Sequence, residues 1–205
     1  MTGSEEKLVP VRVDVAFAAS GGSVPIDHGY PLFGALCRTL GNLHGAEWLA
    51  VHPLAGVATG RADLSPAKRG AVLRLRVRAD RLGDVLPLAG KTLDVAGVKL
   101  HLGTSQIYEL QPSTSLRSRI VVIKGYTEPD LFGPRLAREL ESKNVTASVE
   151  LGRRRVIRID GRKIVGFEVT LSNLSEPDSL TILNEGLGGR QRFGCGVFRQ
   201  VRASQ

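Results

Sequence analysis

Four histidines, His28, His44, His52 and His101, are the side chains of this sequence best suited to acid–base work, because imidazole titrates near neutral pH. No HExxH, His-Cys cluster, paired carboxylates at helical spacing or GxSxG elbow accompanies them. Metal-assisted hydrolysis and serine-type acyl transfer therefore have no motif to support them. One reaction needs nothing more than acid–base groups. In RNA the 2′-hydroxyl attacks the adjacent phosphate once a base takes its proton and an acid protonates the departing 5′-oxygen. The products are a 2′,3′-cyclic phosphate and a 5′-hydroxyl, and no metal or cofactor is called for.

Placement separates the four. His28 stands in the loop ASGGSVPIDHG just before an apolar periodic stretch, YPLFGALCRTLGNLH, at the expected N-terminus of a helix. A helix dipole and its free N–H groups favour a phosphate there, which makes His28 the first candidate for catalysis. His44 lies near the other end of that stretch. A continuous helix from 28 to 44 would hold the two roughly 24 Å apart, too far to serve one phosphate unless the chain curls back. His44 and His52 remain candidates, and His101, on an expected strand, is assigned to structure.

A substrate phosphate also needs cations. Twenty-eight Lys and Arg against 20 Asp and Glu give a formal charge of +8, which makes nucleic acid the leading partner class. The charge concentrates in GRRRVIRIDGRK, where Arg153, Arg154, Arg155, Arg158, Arg162 and Lys163 face only Asp160. An arginine-rich hairpin of this kind can track a nucleic-acid backbone. The second basic stretch is GLGGRQRFGCGVF, residues 186–198. It lacks the GK[ST] ending of a P-loop and the spacing of GxGxxG, and it follows a helix instead of opening one. Its glycines, Gly188 and Gly189 among them, can instead bring backbone N–H groups close to an extended phosphate chain, with Arg190, Arg192 and Arg199 adding charge. Aromatic residues are 5% of the chain and no strand carries the RNP1 pattern. RNA is thus expected to bind through backbone and shape, as a structured stem.

The elements that must position these groups fall into two similar series. VPVRVDVAF alternates as a strand, the Leu32, Leu36, Leu40 series makes a helix, and AVLRLRVRA is a strand whose Arg74, Arg76 and Arg78 form a basic face. RLGDVLPLAG gives a short helical turn, and extended segments close the first half. SLRSRIVVIKG restarts the series as a strand, EPDLFGPRLARELESK follows as a helix, and the Asp160-Gly161 pair marks a type I′ hairpin. EPDSLTILNEG is the last helix, and GVFRQVR the last short strand. Two β-α-β-β-α-β series place the chain in the α+β class as tandem ferredoxin-like (RRM-like) domains, residues 1–112 and 113–205, joined near QPSTS at Pro112. No apolar run reaches the length of a membrane span, the first ten residues lack the pattern of a signal peptide, and two cysteines are too few for a disulfide framework. A cytoplasmic protein with no membrane partner is expected.

Several segments carry a family resemblance: PIDHGYPLFGALCR, the LH at Leu43-His44, VHPL from Val51, VIKGY from Val122, IVGFEV from Ile164, and GLGGRQRFGCGVF. Together they resemble the CRISPR-associated endoribonucleases that process precursor CRISPR RNA, the sixth family of Cas proteins within the RAMP superfamily, in its MYXAN-type subgroup. The last segment is similar to the C-terminal glycine-rich loop that marks this superfamily.

The resemblance implies tandem ferredoxin-like RAMP domains, metal-independent cleavage within each CRISPR repeat, a stem-loop repeat RNA as partner, and other Cas proteins as partners in an effector complex. It also implies a catalytic histidine in or beside the first helix, which points to His28 and keeps His44 open. The second catalytic group varies within the family, and Tyr30 is a candidate by proximity. Binding of the RNA stem carries over to Arg153, Arg154, Arg155 and Arg158. The alternative is a non-catalytic subunit of the same superfamily that holds guide RNA without cutting it.

Overall fold

The computed structural model describes residues 11–41, 43–54, 57–58, 63–65 and 71–201. In the first half the strands are β1 (Arg12–Gly21), β2 (Val24–Pro25), β3 (Leu49–Val51), β4 (Val57–Ala58), β5 (Asp63–Ser65), β6 (Ala71–Arg78), β7 (Thr92–Val95) and β8 (Val98–Glu109), with one helix, α1 (Gly29–Leu40), after β2. Five of them form an antiparallel sheet in the order β3-β6-β1-β8-β7, while β2, β5 and β4 pair in a small sheet of their own. The run β8-β1-β6-β3 is the ferredoxin-like order, and β7 is an added edge strand turned back by Ala96 and Gly97, both at positive φ. Where a second helix would stand, the chain makes two 3-10 turns, Ala79–Asp84 and Leu86–Leu88. Pro87, lacking an N–H, ends any longer helix there, and Val85 and Leu88 still bury fully into the core.

Helix α1 forms because Leu32, Phe33, Ala35 and Leu36 make one apolar stripe, and it packs against β7 and the sheet. It stops at Gly41, which takes a positive φ of 89°. The apolar pattern reads on to Leu43, so the sequence places the helix end too late. His44 sits in a turn after the helix, with Ala46 N–H donating to the Leu43 carbonyl.

The second half repeats the series with β9 (Leu116–Val121), α2 (Pro129–Ser142), β10 (Ser148–Ile159), β11 (Arg162–Ser172), α3 (Glu176–Glu185) and β12 (Arg199–Gln200). Its sheet runs β10-β11-β9-β12, again antiparallel and again the ferredoxin-like order. The β10–β11 hairpin turns on Asp160 (φ 51°) and Gly161 (φ 72°), the positive pair a type I′ turn requires. The side chain of Ser175 caps α3 by accepting from the Asp178 N–H.

Each half has its own core. Val15, Phe17, Leu32, Leu36, Leu73, Leu75 and Leu100 centre the first, and Phe132, Leu136, Phe167, Val169, Ile182 and Phe198 the second, where the Phe132 and Phe167 rings lie 4.7 Å apart. A smaller cluster, Ile120, Val122, Ile157, Ile159 and Cys195, covers the opposite face of the second sheet, and Phe193 packs on both it and the first core.

Polar groups also tie the halves together. Arg76 is 3% exposed, so it does not belong to a solvent-facing basic strand face as the alternation predicts. Its guanidinium donates to Asp14 at 2.8 and 3.1 Å and, across the junction, to the carbonyls of Leu183 (2.8 Å) and Phe198 (2.9 Å). Burial alone would raise the Asp14 pKa. The contacts with His52 and Arg76 outweigh it and hold the carboxyl well below its ordinary value.

Candidate functional site

His28 occupies the approach to α1, and its ring is completely buried. Nε2 accepts the Leu54 N–H at 2.8 Å, so Nδ1 carries the proton and donates to the Pro25 carbonyl at 2.9 Å. Burial lowers its pKa, the Pro25 bond only partly opposing this, and the ring is held neutral. Both nitrogens are spent on clamping the β2–α1 turn to the segment after β3. The N-terminus of α1 is covered as well: a Cβ on Gly29 would lie 2.3 Å from the Phe193 carbonyl oxygen. The expectation of a phosphate at this helix end, with His28 acting on it, does not fit a ring and a helix end that are both sealed by protein.

His52 is also buried, 3.6 Å from Asp14 and beyond hydrogen-bond reach. Burial pushes its pKa down to about 4. His101 is exposed on β8, its Nδ1 2.9 Å from Thr92 Oγ1.

His44 is exposed. Its ring meets Phe33 edge-on at 6.0 Å, Phe33 meets Phe193 at 5.2 Å, and Phe193 meets Tyr30 at 5.8 Å. This row of rings links both ends of α1 to the glycine-rich stretch. Arg192 lies over the Phe33 ring at 5.6 Å and donates to the Leu43 carbonyl at 3.3 Å, so its charge sits one residue from His44. A groove of about 530 Å³, lined by Thr39, His44, Trp48, Arg81 and Asp84 among others, opens beside the imidazole. Tyr30 is 41% exposed, and its hydroxyl reaches Asp160 of the hairpin tip at 3.4 Å.

The glycines that bring Arg192 here act by shape. A Cβ on Gly196 would lie 2.0 Å from the Leu187 carbonyl oxygen, and one on Gly188 would lie 2.4 Å from that of Val122. The Gly188 N–H donates to the Glu139 carboxylate at 2.6 Å and the Gly189 N–H to Val122 at 2.9 Å. Those two donors, expected to cradle phosphate, are consumed inside the fold. Arg190 and Arg192 are what the loop presents.

On the hairpin, Arg153, Arg154 and Arg158 are exposed. Arg155 is half-buried, donates to Glu168 at 3.2 Å, and has its pKa lowered first by burial and then by Arg119, Arg153 and Arg117. The Arg158 N–H donates to Asp27, and Arg119 to the Ile26 carbonyl, so the basic sheet face borders the β2–α1 turn. Among the described residues no three His, Cys, Asp or Glu side chains are grouped to hold a metal ion.

The Cas6 CRISPR family model matches residues 13–203. A CRISPR-associated endonuclease Cas6 from Myxococcus xanthus is 40% identical over 188 residues, covering 92% of this chain and 81% of that protein. The chain belongs to the Cas6 family. Among solved structures, a CRISPR-associated protein Cas6 superposes with a TM-score of 0.65 at 13% identity, covering 94% of this chain and 99% of the other. A Cas6-related protein from Pyrococcus furiosus gives 0.65 at 12% identity, covering 95% and 99%. A RAMP protein described as binding different RNA substrates gives 0.65 at 11%, covering 94% and 100%. These likenesses show the fold, the tandem ferredoxin-like RAMP arrangement.

In this Cas6 chain the sequence leaves two arginines unnoticed and misplaces a third. Arg117 and Arg119 extend the hairpin's charge onto β9, where Arg117 pairs with Glu168; their alternation in SLRSRI is the signal that locates them. Arg76 is the misplaced one, because burial, and not sequence, distinguishes it from Arg74 and Arg78. No helix among the described residues is long and apolar enough to cross a membrane.

Proposed function

We propose that this chain is the endoribonuclease that cuts CRISPR repeat RNA within precursor transcripts, and that His44 is its acid–base group. The observation that carries the assignment is an accessible imidazole that lines an open groove, next in sequence to the Leu43 carbonyl that Arg192 holds. The activity class follows from kinship with a CRISPR-associated endonuclease. Proton transfer at His44 activates the 2′-hydroxyl or protonates the 5′-oxygen, and Arg192 offsets the charge that builds on the phosphate. The reaction then runs without a metal and leaves a 2′,3′-cyclic phosphate and a 5′-hydroxyl. Tyr30 is the proposed second group: it shares the aromatic row with His44, and among the described residues its hydroxyl has one long contact, to Asp160. His28 is a positioning residue that fixes the entry to α1. The hairpin's Arg153, Arg154 and Arg158 hold the stem, with Arg155 braced on Glu168 behind them. We take the two domains to be residues 1–112 and 113–205, a reading supported by buried cores that draw on residues 13–102 and 116–198.

Single-turnover cleavage and RNA binding of His44→Ala and His28→Ala test this. His44→Ala is expected to bind repeat RNA normally and cut it at least ~100-fold more slowly. His28→Ala is expected to melt at lower temperature while its folded fraction still cuts. A normal rate in His44→Ala, or a well-folded but inactive His28→Ala, contradicts the assignment.

A further inference from the structure

A second groove, of about 780 Å³, lies in the C-terminal half and shares no lining residue with the one beside His44. Its floor is apolar, from Val122, Ile123, Ile164 and Val165, and Tyr126 and Thr127 form part of its wall. Around it stand Lys124, Arg135, Lys163 and Arg190, none of whose side chains is held by a hydrogen bond or ion pair among the described residues. Lys143 is paired with Glu185, and the Glu139 carboxylate, fixed by the Gly188 N–H, is the one unpaired acid of the lining. Four cations against one carboxylate leave the concavity net positive, which favours the entry of an anion. An apolar floor, an aromatic side chain and a cationic rim are together the makings of a site for unpaired nucleotides, with bases against the floor and phosphates at the rim. The volume lies within the roughly 300–1,000 Å³ typical of small-molecule sites and admits a single strand, not a duplex.

The glycine-rich loop joins this groove to the cleavage site. Arg190 lines the groove, and Arg192, at most about 7 Å further along the chain, donates to the carbonyl of Leu43, the residue before His44. The loop is rigid at this point, because Gly188 and Gly189 are pinned to Glu139 and Val122. We propose that the groove binds unpaired repeat nucleotides that flank the stem, with their phosphates on Lys124, Arg135, Lys163 and Arg190 and one base against Tyr126. This rests on the RNA-processing function above and adds a single-strand site to it.

The test measures binding of hairpin RNAs blocked by a 2′-deoxy at the cut, with and without four unpaired nucleotides on each side, to the wild type and to a Lys124→Ala, Arg135→Ala double variant. Flanks should tighten wild-type binding about tenfold, and the double variant should lose that gain. Its salt dependence on the flanked RNA should be shallower by about 0.7 in log–log slope per phosphate contact removed. Both proteins should bind the blocked unflanked hairpin alike and cut its all-ribose counterpart alike. Equal affinity of the wild type for flanked and unflanked RNA, or a gain that survives in the double variant, overturns the proposal. If the wild type neither binds nor cuts a hairpin, the processing function fails instead. A labelled unpaired octanucleotide then decides the groove alone: wild-type binding weakened in the double variant supports it, and no binding or equal binding overturns it.

Discussion

The imidazoles of His28 and His44 differ in access to water. One is sealed with both nitrogens bonded to backbone, and the other stands at a groove beside a guanidinium. Nothing in PIDHGY announces this, because the partners that bury His28 are main-chain groups of Pro25 and Leu54, which carry no side-chain signature. A histidine ahead of an apolar periodic run looks the same whether the helix end is open or capped by Phe193 from far along the chain. The histidine pattern narrowed the candidates for acid–base chemistry to four positions, and burial separates them. Buried histidines also set the pH response. The folded pKa of His52, about 4, lies below the ordinary 6.5, so between those values the unfolded chain binds a proton that the folded chain refuses. Stability therefore falls as pH drops from 6.5 to 4, by up to about 3 kcal/mol from His52 alone, and His28 acts in the same direction. Urea midpoints at pH 7 and pH 5 check it, and a higher midpoint at pH 5 contradicts it.

At the scale of elements, alternation and turn chemistry located the strands, and Asp160-Gly161 placed the hairpin correctly. The end of α1 was misplaced because the apolar period continues past Gly41, whose positive φ stops the helix. The glycine-rich loop was legible as a loop and misjudged in its physics, since its glycines answer carbonyl oxygens that arrive from Val122 and Leu187. Two substitutions separate shape from flexibility. Gly196→Ala puts a Cβ 2.0 Å from a carbonyl oxygen at a φ of 66°, and it should destabilise the fold by roughly 1–3 kcal/mol and displace Arg192. Gly189→Ala meets nothing within 4 Å and should leave the melting temperature and cleavage within experimental scatter. Thermal melts of both variants, with equal losses in the two, would restore a flexible-loop account.

Across the whole molecule, two ferredoxin-like series were legible from the order of elements, while the way they join was not. The junction depends on Arg76 reaching Leu183 and Phe198, contacts more than a hundred residues distant. Arg76→Ala leaves Asp14 buried without its principal cation, at a cost of about 3–5 kcal/mol. The variant should lose cleavage together with cooperative unfolding, because Arg192 and His44 come from different halves. An Asp14→Asn, Arg76→Met double variant should recover part of that loss, and failure to recover would remove the ion pair from the account. The proposed mechanism assigns catalysis to side chains the fold assembles and to the RNA's own 2′-hydroxyl. The most direct test is single-turnover cleavage of a repeat hairpin in excess EDTA, with either ribose or a single 2′-deoxyribose at the cut. Undiminished cleavage of the ribose substrate and none of the deoxy substrate is the predicted result. Loss of cleavage in EDTA, or cleavage of the deoxy substrate, would contradict it.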